Sequence, residues 1–253
     1  MRPVTAALLL LAAILYARGL GRLPGRKERR RRTLAFVTGL VTIGGALAFP
    51  MEEATRALFS AHMVQHLLLM VVAAPLVVYG LAGRTLFMGV PAMLRHRLAA
   101  LGRRLRLIRL LGSPPAVWGL QALALWSWHL PGLYELGLAN ELLHAVEHGS
   151  LLGTALLFWW LVVEAPGRLG HLERALLVFA TALQTGLLGA IILFASTVLY
   201  PVHAPGTWGL TPLEDQQLAG AIMWIPMWVV YLATIGVLLV RALHRLEAEP
   251  ADG

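Results

Sequence analysis

Seven stretches of apolar residues divide the chain, at roughly 3–17, 34–50, 58–82, 114–130, 141–163, 175–199 and 218–240. Several approach the ~20 residues a helix needs to cross a hydrocarbon core of ~30 Å. Lipid offers the backbone no hydrogen-bond partners, so such stretches satisfy their own N–H and C=O groups as helices. Composition agrees: 58% of the 253 residues are hydrophobic and 13% charged, against about 25% charged in soluble domains. The expectation is an all-α membrane protein, a seven-transmembrane-helix bundle forming one domain over 1–246, with a polar tail at 247–253. The first stretch has a single Arg before it and no A-x-A site ahead of the arginine run, so it reads as a retained helix rather than a cleaved leader.

The basic residues set the orientation. Arg18 to Arg32 follow the first stretch and Arg84 to Arg109 the third; Arg168 and Arg174 follow the fifth, Arg241 and Arg245 the seventh. All but Arg2 and Arg56 of the 21 Lys and Arg thereby fall on one side. The positive-inside rule puts that side in the cytoplasm, with the N-terminus outside and the C-terminus inside. The net charge of +8 is then a topology signal, which argues against nucleic acid as a partner and for membrane lipid. Leu94, Leu98, Leu101, Leu105 and Ile108 recur at helical spacing among arginines. Residues 94–111 therefore read as an amphipathic helix on the cytoplasmic face.

With that topology the nine histidines separate. His96, His171 and His244 lie in or beside cytoplasmic segments. His62, His66, His129, His144, His148 and His203 lie toward the outside. At a rise of ~1.5 Å per residue, His62 and His66 sit roughly 6 and 12 Å below the start of their span, and His144 and His148 roughly 5 and 10 Å below theirs. Met223 is about 8 Å into the last span, and His129 is at the rim. Residues four apart share a helix face, so HMVQH (62–66) and HAVEH (144–148) are two H-x-x-x-H pairs, each able to present two imidazoles to one ion. Ionisable groups within spans are costly and point to function. The bland alternative is interhelical hydrogen bonding, which matched depth on two helices makes less economical. Glu147 suits a ligand-orienting acceptor or an acid–base group. Met63 and Met223 fit core packing, although thioethers favour Cu(I); the eight Trp fit interfacial belts.

The absence of Cys excludes disulfides and thiolate metal sites. The loop 200–217, YPVHAPGTWGLTPLEDQQ, ends in Glu214, Asp215, Gln216 and Gln217 above the histidines. Asp215 can cap a helix N-terminus or complete a cation site, and both roles stay open at this point.

Four motifs, AHMVQHLLLMVVAAPLVVYG (61–80), W-x-W-H-L-P (126–131), NELLHAVEH (140–148) and LTPLEDQQLAGAIMW (210–224), resemble the CtaG family of polytopic assembly factors for caa3-type cytochrome c oxidase. The likeness runs from about residue 34 to 240. It differs from the single-span, cysteine-using copper chaperones that share the name. The resemblance implies a multi-pass protein of the bacterial cytoplasmic (inner) membrane that handles copper for an oxidase subunit, I or II, with an extracytoplasmic copper donor as a further partner. Carried over, the motif positions are His62, His66, His129, His144, His148, Asp215 and Gln216, and no catalysis is implied.

Three other readings use the same residues. HAVEH matches the H-x-x-E-H pattern of a zinc metalloenzyme, and paired His boxes are shared with di-iron membrane oxygenases, although no third box is present. Facing histidines could ligate a b-type haem. Finally, the histidines could be purely structural in an oxidase-binding scaffold.

Overall fold

The computed structural model describes residues 3–21, 26–48, 50–80, 82–104, 112–165, 168–201 and 207–248. His203, positions 105–111 of the amphipathic segment and the end of the tail lie outside them. The described residues form helices with no strand: α1 (Pro3–Leu20), α2 (Arg26–Ala46), α3 (Met51–Ala57), α4 (Phe59–Tyr79), α5 (Ala82–Gly89), α6 (Ala92–Arg104), α7 (Pro114–Trp128), α8 (Pro131–Ala139), α9 (Glu141–Val163), α10 (His171–Leu193) and α11 (Pro212–Ala248).

Five of these, α1, α4, α9, α10 and α11, are long and apolar enough to cross a membrane. α2 and α3 make a sixth if the pair, bent by 47°, counts as one span. The stretch expected at 114–130 becomes α7, whose 15 residues extend ~22 Å. It ends where His129 leaves helical geometry and α8 begins at Pro131. Proline is tolerated there because the first helical N–H needs no partner. α11 runs on to Ala248, past the start of the expected tail. In α6 the leucines Leu94, Leu98 and Leu101 are all exposed.

α4 is the axis of the bundle, packing against α2, α9 and α11. Of its most apolar window 61% is buried, against 11% for α1. Between Leu68 and Ala73 it winds as a π-helix, and Pro75, with no N–H to donate, follows at once. A wider turn leaves carbonyls free, and Met70 O accepts a hydrogen bond from Trp159 Nε1 of α9 at 2.9 Å.

Small residues bring the remaining helices close. At the α10–α11 crossing a Cβ on Gly220 would lie 2.5 Å from Leu193 N and 2.7 Å from Gly189 O, so only glycine permits this approach. α1 meets α5 in the same way, where a Cβ on Gly19 would run into Thr85 O and one on Gly89 into Leu15 O. Tyr16 stacks on Phe36 at 3.8 Å and donates to Gly80 O at 3.0 Å, which ties α1 to α2 and to the end of α4.

Candidate metal centre

α4 starts without a side-chain cap of its own. Leu58 is extended (φ −135°, ψ 134°) and separates α3 from α4, so the first N–H groups of α4 need partners from elsewhere. They find Asp215 of α11. Its carboxylate accepts from Phe59 N at 2.7 Å, from Ser60 N at 3.0 Å and from the Ser60 hydroxyl. α11 is capped separately. Thr211 and Glu214 form a reciprocal capping box, with Glu214 Oε2 accepting from Thr211 N at 2.8 Å and Thr211 Oγ1 from Glu214 N at 3.3 Å. Gln216 accepts from Leu199 N at 2.6 Å and donates to Thr197 O at 3.1 Å, fastening the chain after α10.

α9 is started by Asn140, whose Oδ1 accepts from Leu142 N and Leu143 N at 2.9 and 3.1 Å. This cap puts His144, Glu147 and His148 in the first two turns, facing His62 and His66 in the first two turns of α4. His62, His66, Glu147 and His148 are all buried, His62 completely.

Three atoms converge. His62 Nε2 is 2.9 Å from His66 Nε2, and Glu147 Oε1 is 3.2 Å from the first and 3.3 Å from the second. Ligands about 2.0–2.1 Å from one ion, at roughly 90–110° to one another, have such separations. The ligating atoms of His62, His66 and His148 lie within 4.8 Å of each other, as do those of His62, His144 and Glu147. Among the described residues no such group includes His129 or Asp215. Gly137 of α8 makes room for the carboxylate, since a Cβ there would stand 3.0 Å from Glu147 Oε2.

The hydrogen-bond polarity of the cluster does not close on itself. His148 Nδ1 meets His144 O at 2.9 Å; a carbonyl only accepts, so Nδ1 carries the proton and Nε2 a lone pair. That lone pair faces Gln65 Oε1 at 2.9 Å. The amide cannot turn round, because Gln65 Nε2 donates to Ala46 O at 2.7 Å. His62 Nε2 and His66 Nε2 cannot both donate to Glu147 without bringing two protons together. His62 Nδ1, His66 Nδ1 and Glu147 Oε2 are buried with no hydrogen-bond partner among the described residues. Acceptors outnumber donors, and the shortfall is of the kind a cation fills.

His129 belongs to a neighbouring group. Its ring lies 5.7 Å from that of His66, and its Nε2 is 3.3 Å from Met63 Sδ. Met223 is buried in the main core with Met63. Sequence reasoning passed over Gln65, Gly137 and Ser60. Only Gln65 carried a signal, lying one residue before His66 inside HMVQH.

The fold and cluster define a multi-pass helical membrane protein with an enclosed histidine–carboxylate centre. The chain belongs to the Caa3_CtaG family, the cytochrome c oxidase caa3 assembly factors, whose family model matches residues 14–245. No curated protein and no solved structure matches it.

Proposed function

We propose that the chain binds copper at His62, His66, His148 and Glu147, with His144 beside them, and passes it to an oxidase subunit, I or II. The observation carrying this reading is the convergence of His62 Nε2, His66 Nε2 and Glu147 Oε1 within 3.3 Å in a buried site short of donors. An N/O donor set without thiolate suits Cu(II), and the family's role in oxidase assembly supplies a reason to carry copper. In this reading the chain spans the bacterial inner membrane seven times, N-terminus outside, with the site open to an extracytoplasmic donor. It holds and releases the ion without catalysing a reaction.

Elemental analysis of the purified protein beside His66→Ala and His148→Ala tests the site. Copper is expected in the parent protein and lost from both variants; equal copper in all three rejects it. Because the chain has no Cys, single cysteines report topology. Trp208→Cys should label from outside intact cells and Leu98→Cys only after permeabilisation.

One observation bears on the metalloenzyme alternative. In H-x-x-E-H catalysis the carboxylate acts on metal-bound water, whereas Glu147 Oε1 stands as close to the two α4 imidazoles as a ligand does. A colourless, zinc-loaded protein with an activity abolished by Glu147→Gln would favour the enzyme.

A further inference from the structure

We infer that Met63 and His129 form a second seat, selective for a soft monovalent ion such as Cu(I), and share His66 with the first. This rests on the copper reading above. The two residues come from the second turn of α4 and the residue closing α7, and both are buried, Met63 completely.

One proton decides the polarity of the pair. His129 Nδ1 lies 2.7 Å from Leu125 O, and a carbonyl oxygen can only accept, so the neutral ring carries its proton on Nδ1. Nε2 then presents a lone pair, and what it faces at 3.3 Å is the thioether sulfur of Met63. A thioether has no proton to give. Two lone pairs pointed at each other in a buried site repel unless a positive centre lies between them.

The spacing suits a metal. An ion about 2.0 Å from an imidazole nitrogen and about 2.3 Å from a sulfur, with those atoms 3.3 Å apart, subtends roughly 100°, close to tetrahedral. The third donor is His66, whose ring centre is 5.7 Å from that of His129. Two imidazoles on one ion hold their ring centres about 5–6 Å apart. Tyr200 donates to His129 O at 2.7 Å, which fixes the backbone that carries the ring.

The two seats differ in softness. Around His62, His66 and Glu147 the donors are nitrogen and oxygen; around His129 they are nitrogen and a polarisable sulfur. Thioether donors select Cu(I), and carboxylate donors do not. The oxidation state of the copper therefore decides which side of His66 it occupies.

The test uses the full-length protein in detergent, loaded separately with Cu(II) and, under anaerobic reducing conditions, with Cu(I). X-ray absorption of the Cu(I) sample should show one sulfur neighbour at about 2.3 Å, which Met63→Leu removes. The variant should bind Cu(I) about tenfold or more weakly yet leave the Cu(II) electron paramagnetic resonance spectrum unchanged. Met63→Leu conserves volume, and its thermal unfolding is measured alongside; the parent's sulfur signal is read independently of whether the variant folds. Copper bound with nitrogen and oxygen neighbours alone, or a sulfur neighbour that persists in Met63→Leu, overturns the second seat and leaves the first standing. A parent protein that binds copper in neither state overturns both.

Discussion

The Asp215 carboxylate, carried on α11, holds the backbone N–H of Phe59 at 2.7 Å and so starts a helix to which it does not belong. Both carboxylate oxygens are engaged by the first turn of α4. Asp215 thereby fixes the position of His62 and His66, one and two turns further on, without touching them. Asp215→Asn should lower stability by about 1.5–3 kcal/mol, the range for hydrogen bonds to charged groups, while copper content stays at the parent level. Thermal unfolding and metal analysis of one preparation check this; an unchanged melting temperature with lost copper would make Asp215 a ligand instead.

Glu147→Gln keeps the volume and removes the charge. Copper(II) affinity should fall about tenfold or more, measured by competition with a chelator of known strength. Gly137→Ala pushes on the same carboxylate from α8 and should weaken binding less. A Gly137→Ala protein that binds as tightly as the parent would show that the carboxylate tolerates displacement.

Gln65 ties α4 to α2 by donating to Ala46 O, while its Oε1 stands 2.9 Å from the His148 Nε2 lone pair on α9. Gln65→Leu leaves a buried carbonyl without its donor and should cost about 1–3 kcal/mol. A variant as stable as the parent would show that the bond to Ala46 O contributes nothing.

Protons and metal compete for the same imidazole lone pairs, so acidification should release copper and alkalinisation should strengthen binding. Affinity should change about tenfold per pH unit for each proton displaced. Isothermal titration in buffers of different ionisation enthalpy counts those protons, and a binding constant independent of pH would argue against imidazole ligation.

Gly220→Ala places a methyl group 2.5 Å from Leu193 N and should destabilise the α10–α11 pair by about 1–3 kcal/mol. Loss of the protein on gel filtration after mild heating is the expected readout, with metal content unaffected in the fraction that stays folded.

Much of this molecule is legible in its sequence because lipid enforces a simple rule: long apolar runs become helices. The pairs HMVQH and HAVEH were readable for the same reason, since helical spacing and depth follow from counting residues. What could not be read depends on breaks in that regularity. The stretch expected from 58 begins where the chain is extended at Leu58, but nothing in the sequence marks 51–57, between two apolar stretches, as the separate helix α3. Asp215 looks like a cap for its own helix, because nothing local says that Glu214 already does that work. Gln65 and Gly137 matter through contacts across the bundle, with α2, α9 and the Glu147 side chain, and such contacts have no periodicity to betray them.

The π-helical segment from Leu68 to Ala73 also takes up one residue more than an α-helix of the same rotation would hold. Each residue of an α-helix turns the chain by ~100°. Deleting one residue from this segment would let α4 run as an unbroken α-helix, still apolar and still long enough to span. Six residues of a π-helix, at ~82° each, turn the chain about as far as five of an α-helix, so His62 and His66 would keep their angle to Glu147 while the lower half kept its grip on α2. The wide turn is a residue held in reserve. A one-residue deletion there should cost the Trp159 bond to Met70 O and spare both the metal centre and membrane insertion.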